Sequence, residues 1–500
     1  MASAPPFIDL DLLTLESFRD QPVAVLGLAR SGVALTRFLV DRGARVTVYD
    51  ARPATELAAQ IEQLEGRQVR LLLGPDEDPA AALVGQALVA TSPSVNSRYP
   101  TTEPRLRSAL AALEGQGRVP VVSEIDLFLR LSPATAIGVT GTKGKTTTSS
   151  LIAAVLAQGA APTVLGGNIG VPLVEWLPEL RLEHRVVVEL SELQLPTISR
   201  GTEVSVYTHV TSDHLDRHGT VEAYRAAKRR LAELAPARGR LVLNAEDPVS
   251  AAFASAGAAR PVFYQRGAPR AGGVGVRDGW IVADDIACLD SVGGGRAATG
   301  PGGRIMPLGE VIIPGAHNTS NVLAAVAVGL LFGIAPDAIR RAVAGFTGVE
   351  HRLEGVATID GVTFVNDSQG TQPDAVIAAL RSFSPPIVLI CGGRTKNVPL
   401  DELAREVAQR AAAAVLIGET AGEMAKLFTE AGLERVEHAS DMEVAVRRGF
   451  DIARELAPNH GAATVLLSPA ATSFDMFVDY AARGQAFKSA VRQLAEESRS

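Results

Sequence analysis

Short apolar runs recur along the chain, each followed by glycine or polar residues and then by a segment with helical spacing of its apolar positions. In the first third, these patterns predict strands at 22–27, 45–49, 86–91 and 119–122 and a helix at 31–42. Because strands alternate with helices, we expect a doubly wound parallel sheet over about 125 residues.

The same alternation continues through the rest of the chain. Predicted strands lie at 136–140, 185–190, 204–207, 362–365, 387–391, 413–417 and 465–467. Predicted helices lie at 221–234 and 372–380, and another begins after Thr147 and continues to about Gln158. Residues 265–306 are rich in glycine and poorly periodic, which predicts a hairpin and long surface loops without chemistry of their own.

The segment AIGVTGTKGKTTTSSL at 136–151 joins a buried strand to a helix through a glycine-rich turn. Its glycines allow consecutive N–H groups to point inward, and the helix N-terminus adds positive potential. Lys145 can reach nucleotide phosphates and the Thr146 hydroxyl can contact Mg²⁺, so the segment predicts a phosphate-binding loop, although GTKGKTT is shorter than the usual motif. The alternative is a lysine-rich helix start. The predicted loop residues are Gly141, Thr142, Lys143, Gly144, Lys145, Thr146 and Thr147.

The N-terminal strand, helix and strand carry Gly27-Leu-Ala-Arg-Ser-Gly32 and end at Asp50. This pattern is close to a dinucleotide-binding fingerprint, but Ala29 replaces the glycine that lets a pyrophosphate approach the backbone. Three interpretations stay open: a nicotinamide cofactor, a glycine required only for tight packing of helix on strand, and a crevice for another nucleotide.

Three candidate metal or catalytic side chains follow the central strands. Glu189 ends the strand at 185–190, where a carboxylate beside a phosphate loop usually contacts Mg²⁺. His214 lies in a polar cluster after the strand at 204–207, and Lys228 lies on the next helix. Taken singly, each also fits an ordinary role, as a partly exposed strand-end glutamate, a structural histidine and a lysine of a basic helix face.

Composition limits the classes of function. A chain of 500 residues with 47% hydrophobic and 21% charged residues predicts about three globular domains. No apolar run reaches the length of a membrane span, and residues 1–10 lack the basic start of a secretion signal, so we expect no membrane association. Cys288 and Cys391 have no metal-ligand spacing, which fits a reducing cytoplasm. A net charge of −7 without a basic tract argues against a nucleic-acid partner.

Nine motifs occur in a fixed order between residues 141 and 477: GTKGKTT, GGNIG, VVELSELQL, TSDHLDRHG, AYRAAK, PGAHNTSN, FTGVEHRLE, VNDSQGTQPDA and LLSPAATSFDMF. Together they resemble the Mur ligase family of ATP-dependent amino-acid ligases. Within that family, GLARSG and the C-terminal SPAATSFDMFVDYAARGQAF favour the member that joins D-glutamate to UDP-N-acetylmuramoyl-L-alanine.

The resemblance implies an α/β fold with three domains. These are a Rossmann-like domain for the UDP substrate at 1–126, a central P-loop ATPase-like sheet for ATP at 127–348, and a Rossmann-like domain for the amino acid at 349–500. A hinge is expected near Gly348. We expect UDP-N-acetylmuramoyl-L-alanine and D-glutamate as the chain's partners, and a monomer.

The resemblance also implies a reaction. ATP phosphorylates the substrate carboxylate, the amine attacks the acyl phosphate, and ADP and phosphate leave. The implied catalytic residues are Lys145, Glu189, His214 and Lys228. Two Mg²⁺ ions are implied, one held by Thr146 and Glu189 and the other by His214 and a carbamylated Lys228. Further contacts to ATP are implied at Asn318, Asn321, Arg352 and Asp367.

Substrate contacts are implied for all three domains. The UDP end is placed at Arg30, Ser31, Asp50, Arg52 and Ser92, and the muramoyl end at Asn168 and His214. D-glutamate is placed at Thr371, Lys396, Ser473 and Tyr480. Without the resemblance, Lys396 would be interpreted as a surface-loop lysine and Ser473 as a helix-start hydroxyl.

Two departures from the family pattern predict altered substrate affinity. Gln369 stands where the family usually has the lysine of Asn-Asp-Ser-Lys, and Ser191-Glu192-Leu193 replaces Ser-Ser-Phe. The alternatives to the predicted function are another Mur-type or folylpolyglutamate-synthase-like ligase, an NAD-dependent oxidoreductase that uses the N-terminal unit, and a P-loop NTPase without ligase activity.

Overall fold

The structure, a computed structural model, describes residues 7–100, 102–211, 215–289, 295–395 and 398–498, without the side chains at 215–216 and 458–460. Three sheets organise three α/β domains. The predicted α/β fold with three domains is therefore confirmed.

The domains fall into two compact units. One unit comprises Met1–Val311 and Ala316–Gly345 and contains the first two sheets. The other comprises Ile312–Gly315 and Phe346–Ser500 and contains the third sheet. The domain boundaries predicted at 126/127 and 348/349 stay predictions.

The first sheet is parallel throughout, with the order β3-β2-β1-β4-β5. Its strands are β1 (Pro22–Leu26), β2 (Arg45–Asp50), β3 (Val69–Leu73), β4 (Leu88–Thr91) and β5 (Val121–Ser123). Its helices are α1 (Arg30–Asp41), α2 (Ala58–Glu62), α3 (Pro79–Leu83), α4 (Pro104–Gln116) and α5 (Glu124–Leu131). The predicted parallel sheet is confirmed. The sequence does not predict β3, an edge strand that is mostly only half-buried and therefore has a weaker apolar pattern.

The second sheet has nine strands in the order β14-β13-β12-β11-β10-β9-β6-β8-β7. Its strands are β6 (Thr135–Thr140), β7 (Thr163–Gly167), β8 (Arg185–Glu189), β9 (Val204–Tyr207), β10 (Arg240–Asn244), β11 (Arg260–Tyr264), β12 (Val274–Arg277), β13 (Trp280–Ala283) and β14 (Arg304–Pro307). Its helices are α6 (Lys145–Leu156), α7 (Leu215–His218), α8 (Val221–Glu233), α9 (Pro248–Ala252), α10 (Ala316–Leu331) and α11 (Pro336–Ala344). The strand predicted at 204–207 coincides with β9.

The glycine-rich region 265–306 adds an antiparallel edge to this second sheet. The predicted hairpin is present as β12 and β13, but β14 then pairs antiparallel with β13, where the sequence analysis expected loops. Buried Ile281 and Met306 face each other in this pairing. These strands have only four residues each and the sequence between them is rich in glycine, which hides the alternation from a sequence window.

The third sheet has the order β15-β16-β20-β17-β18-β19 and is parallel except for β15. Its strands are β15 (Glu354–Ile359), β16 (Val362–Asn366), β17 (Ile387–Gly392), β18 (Ala411–Ile417), β19 (Val436–His438) and β20 (Ala463–Leu467). Its helices are α12 (Pro373–Arg381), α13 (Asp401–Arg410), α14 (Ala421–Glu430), α15 (Met442–His460) and α16 (Tyr480–Glu497). The core around this third sheet is formed by separate apolar clusters.

One apolar cluster runs through both sheets of the first unit. Val33 and Phe128 of the first domain belong to the same cluster as Leu173, Val186 and Tyr207 of the second. The segment at 173–175 packs against α1 and α5. Continuous burial of apolar surface therefore holds the two domains together as one unit.

Candidate functional site

The predicted phosphate-binding loop lies between β6 and α6. Helix α6 begins at Lys145, so the amides of its first turn have no partner within the helix. Gly144 precedes the helix with φ 85°, and a Cβ there would lie 2.6 Å from Asn321 Oδ1. Only glycine combines this backbone conformation with this close approach. The geometry is that of an anion-binding loop.

Lys145 folds over the loop that precedes it. Its Nζ donates to the carbonyl oxygens of Gly141, at 2.9 Å, and Thr142, at 3.1 Å. The ammonium group is therefore held where the loop and the first turn of α6 meet, as expected for a lysine that neutralises phosphate charge.

Hydroxyl groups from neighbouring elements hold the loop in place. Thr142 Oγ1 lies 2.9 Å from the Tyr224 hydroxyl and accepts from Thr211 N at 3.0 Å. Thr208 Oγ1 donates to the Lys143 carbonyl at 2.6 Å. Helix α8 and the segment after β9 therefore fix the loop from one side.

Glu189 ends β8 next to the loop. Strand pairing sets it opposite Val139 of β6 and Gly167 of β7. The side chain is 1% exposed, so the interpretation as a partly exposed strand end is wrong. Its Oε1 accepts from Asn168 Nδ2 at 2.9 Å, whereas Oε2 is buried without a hydrogen-bond partner among the described residues. A buried carboxylate oxygen with spare acceptor capacity fits a cation ligand.

Lys228 approaches the same strand ends from helix α8. It is 0% exposed, so the interpretation as one lysine of a solvent-facing helix surface is wrong. Its Nζ donates to Thr140 Oγ1 at 3.2 Å, and Thr140 Oγ1 donates to the Leu190 carbonyl at 2.9 Å. The amine lies 5.4 Å from the centre of the Tyr224 ring. Lys228 and Glu189 thus lie at the same edge of the sheet.

The two asparagines predicted on the adenine side lie at the start of α10. Asn321 is buried, and its Oδ1 accepts from Thr148 Oγ1 at 3.1 Å while its Nδ2 donates to Asn318 Oδ1 at 3.0 Å. Together with its packing against Gly144, this makes Asn321 part of the support of the phosphate loop. Contact of either asparagine with adenine stays a prediction.

The N-terminal crevice brings Asp50 and Arg52 together. Asp50 accepts from Arg52 Nη2 and from Leu28 N, both at 2.7 Å, and from Arg52 Nε at 3.0 Å. Burial would raise the pKa of Asp50, but the hydrogen bonds from Arg52 and Leu28 hold it below its usual value. The Asp50 carboxylate therefore holds the turn after β1 in place. The Asp50 and Arg52 side chains both lie at the carboxyl edge of the sheet, where α/β folds bind ligands.

The other three crevice residues lie around the same turn. Ser92 Oγ donates to the Gly27 carbonyl at 3.3 Å, and Arg30 and Ser31 form the start of α1. A Cβ at Gly32 would lie 1.8 Å from the Gly27 carbonyl. Tight packing of helix on strand therefore requires glycine at position 32, and binding of a nucleotide in this crevice stays a prediction.

In the second unit, Asp367 is buried at the end of β16. Its Oδ2 accepts from Ser468 Oγ at 2.6 Å and its Oδ1 from Leu353 N at 3.2 Å. Burial raises the pKa of Asp367 to about 6, although these hydrogen bonds and the positive charge of Arg352 lower it. Asp367 and Arg352, both predicted to meet the nucleotide, thus lie close enough to interact electrostatically.

The segments that carry Thr371 and Ser473, two of the predicted amino-acid contacts, are joined by a buried arginine on the helix that Tyr480 begins. Tyr480 begins α16, accepts from Ser368 Oγ through its carbonyl at 2.7 Å, and has its hydroxyl 3.4 Å from Gln369 Nε2. Arg483, 1% exposed, donates to Ser368 Oγ at 3.1 Å and to the Ala471 carbonyl at 3.2 Å. The Arg483 side chain therefore links the segments that carry Thr371 and Ser473.

Two predicted site residues, His214 and Lys396, lie outside the described residues. Within the part of the chain that the structure describes, no group of three or more His, Cys, Asp or Glu side chains is arranged to hold a metal ion. Among the same residues, no helix is both long and apolar enough to cross a lipid bilayer.

Sequence reasoning missed several supporting residues. Tyr224, Thr140 and Thr208 touch the loop or Lys228, and Ser368 and Arg483 join the C-terminal segments. Tyr224 lies one helical turn before Lys228 in AYRAAK, a spacing that places both on one helix face and could have indicated their contact. The others act through contacts between residues far apart in sequence, for which a single sequence carries no signal.

Family models match three parts of the chain. The MurD-like N-terminal domain of Mur ligases matches residues 21–112, the Mur ligase middle domain 139–329, and the glutamate ligase domain of Mur ligases 351–471. The chain belongs to the Mur ligase family and is an ATP-dependent amide-bond-forming ligase.

Individual relatives match over nearly the whole chain. The UDP-N-acetylmuramoylalanine--D-glutamate ligase of Symbiobacterium thermophilum is 39% identical over 476 residues, covering 94% of this chain and 98% of its own. The enzyme of the same name from Pelotomaculum thermopropionicum is 37% identical, covering 96% and 99%. Among solved structures, the UDP-N-acetylmuramate-alanine ligase MurC of Thermotoga maritima has a TM-score of 0.55 at 17% identity, covering 95% of this chain and 100% of its own, and supports the fold.

Proposed function

We propose that this chain joins D-glutamate to UDP-N-acetylmuramoyl-L-alanine, with ATP converted to ADP and phosphate through an acyl phosphate, as a cytoplasmic step in peptidoglycan precursor synthesis. The observation that carries the proposal is the identity of 37–39% over nearly the full length with ligases named for these two substrates. The phosphate-binding loop and the buried Glu189 carboxylate at the end of β8 are the groups proposed to hold the nucleotide phosphates and a Mg²⁺ ion.

The physical task of such a ligase is to bring several anions together. A carboxylate must be converted to a better acyl donor, and phosphate is a good leaving group. The Lys145 ammonium at the loop and the N-terminal turn of α6 offset phosphate charge. Lys145 is therefore proposed as the main charge-neutralising side chain.

The residues at the carboxyl edge of β6 and β8 fit Mg²⁺. Glu189 offers a buried oxygen that has no hydrogen bond within the described part of the chain, and Thr146 lies in the first turn of α6. Mg²⁺ usually combines one or two protein oxygens with substrate phosphates and, when bound, would stabilise the negative charge on the transferred phosphoryl group. We propose Thr146 and Glu189 for one ion, and His214 with carbamylated Lys228 for a second.

The remaining predicted contacts are part of the proposal. Arg30, Ser31, Asp50, Arg52 and Ser92 are proposed for the UDP end, and Asn168 and His214 for the muramoyl end. Thr371, Lys396, Ser473 and Tyr480 are proposed for D-glutamate, and Asn318, Asn321, Arg352 and Asp367 for ATP.

The test is phosphate release from ATP with matched pairs of acceptor and amino acid. Release should require both UDP-N-acetylmuramoyl-L-alanine and D-glutamate, and mass spectrometry should find the amide product. Release with L-glutamate, another L-amino acid or a folate acceptor would instead identify another ligase of this fold. ATP hydrolysis that needs no acceptor would indicate a simple NTPase, and a change in nicotinamide absorbance would indicate an oxidoreductase.

A further inference from the structure

The motif Gly166-Gly167-Asn168 brings one side chain onto the carboxylate of Glu189. Asn168 Nδ2 lies 2.9 Å from Glu189 Oε1, and only the amide nitrogen can donate to an ionised carboxylate. The second carboxylate oxygen, Oε2, is buried and has no hydrogen-bond partner among the described residues. The two oxygens of one carboxylate are therefore in different environments.

The backbone of the motif is shaped for this contact. Gly167 has φ 102°, and a Cβ there would lie 2.4 Å from the Glu189 carbonyl. Asn168 N donates to that same carbonyl at 2.9 Å. Asn168 is thus bound to Glu189 through both its main chain and its side chain, an arrangement that a residue other than glycine at 167 would obstruct.

The segment that follows the motif is anchored on the N-terminal sheet. Arg30 Nη2 donates to the Asn168 carbonyl at 3.5 Å. Further along, Val174 N donates to the buried Glu124 at 3.2 Å, and Arg37 lies 3.6 Å from Glu175. Asn168 is therefore positioned from two sides, by β8 and by the helices of the first domain.

We propose that Asn168 is a positioning residue for the cation of the ligase, because its amide fixes Glu189 Oε1 and leaves Oε2 as the oxygen that binds Mg²⁺. The proposal rests on the Mg²⁺ site of the proposed function and gives Asn168 a role in addition to contact with the muramoyl group. A carboxylate held in one orientation loses less freedom when it binds a metal, and groups that orient metal ligands typically change metal affinity by about 10-fold or more when removed.

The test is a titration of Mn²⁺ into the full-length protein saturated with ADP, followed by electron paramagnetic resonance. The variants are Asn168→Ala, Glu189→Gln and the double variant. Asn244→Ala is the matched control, because Asn244 also ends a strand of this sheet and its side chain accepts from the nearby Glu246 N. Asn168 is exposed, so its replacement should leave thermal unfolding nearly unchanged.

Asn168→Ala should weaken Mn²⁺ binding about 10-fold, and in the Glu189→Gln background it should have almost no further effect. Asn244→Ala should bind Mn²⁺ with the affinity of the wild type. A change in Mn²⁺ affinity below 3-fold, or additive effects of the two substitutions, would overturn the proposal. The titration contains neither ligation substrate, so its outcome is independent of whether D-glutamate is the amine.

Discussion

The Tyr224 hydroxyl lies 2.9 Å from Thr142 Oγ1, and this contact joins helix α8 to the phosphate-binding loop. The Tyr224 ring also makes an edge contact with His218, with ring centres 5.5 Å apart. Because Lys228 Nζ lies 5.4 Å from the ring centre, one buried tyrosine touches both the loop and a proposed metal ligand. Loop geometry and the placement of Lys228 are therefore coupled through Tyr224.

Tyr224→Phe removes the hydroxyl and keeps the ring. We expect kcat/KM for ATP to fall about 5- to 10-fold, since one hydrogen bond of about 1 kcal/mol no longer holds the loop. Steady-state ADP formation at varied ATP measures the effect. Tyr49→Phe is the matched control, because the buried Tyr49 hydroxyl has no hydrogen-bond partner among the described residues. Equal kinetics for the two variants would contradict a role for the Tyr224 hydroxyl.

Lys145→Met tests the charge at the loop while keeping the aliphatic stem. We expect kcat for ADP formation to fall about 10²- to 10³-fold, because a positive charge that offsets the transferred phosphate is lost. Lys426→Met, at an exposed lysine of α14, should keep the wild-type rate. Nucleotide consumption at full rate by Lys145→Met would refute the proposed mechanism.

Local sequence patterns were sufficient to predict the parallel sheets and the phosphate-binding loop. Strands β6 and β8 are largely apolar and buried, Glu189 is the last residue of β8, and Lys145 begins the helix after the loop that follows β6. The glycines, the lysine and the hydroxyls of the loop are adjacent in sequence, so their order alone predicts their geometry.

Contacts between residues far apart in sequence could not be predicted in the same way. Thr142 and Tyr224 are 82 residues apart, and Ser368 and Arg483 are 115 apart. No local periodicity connects such pairs, and nothing in the sequence marks Arg483 as buried, since arginine is usually exposed. The hydroxyl contacts that hold the phosphate-binding loop and the guanidinium contacts within the second unit emerge only from packing.

Gln369→Lys tests whether a positive charge missing from this chain affects substrate affinity. Gln369 Nε2 lies 3.4 Å from the hydroxyl of Tyr480, a proposed D-glutamate contact. A lysine there should lower KM for D-glutamate about 3- to 10-fold, because it adds an attraction of about 1 kcal/mol to a dicarboxylate. Gln493→Lys makes the same change at an exposed position of α16 and should leave KM unchanged. The hypothesis of altered affinity fails if Gln369→Lys changes KM for neither substrate.

The carboxyl group of Glu124 makes the first unit sensitive to pH. Glu124 begins α5, is buried, and accepts from Val174 N at 3.2 Å. Burial raises its pKa from 4.5 to about 7, with the Val174 and Leu173 amides opposing the shift. The folded protein therefore binds this proton more tightly than the unfolded chain does. Its stabilising effect is complete below pH 4.5 and is lost as the pH rises through 7.

Glu124→Gln keeps an acceptor for the Val174 amide and removes the titration. Relative to the wild type, the variant should gain up to about 3 kcal/mol of unfolding free energy between pH 5 and pH 8, since one pKa unit corresponds to about 1.4 kcal/mol. Urea unfolding followed by tryptophan fluorescence reports on this unit, because Trp176 and Trp280 both belong to it. Glu179→Gln, at an exposed glutamate near the same segment, should show no such gain. If the stability difference between Glu124→Gln and the wild type is the same at both pH values, the pKa of Glu124 in the folded protein is not near 7 and the expectation fails.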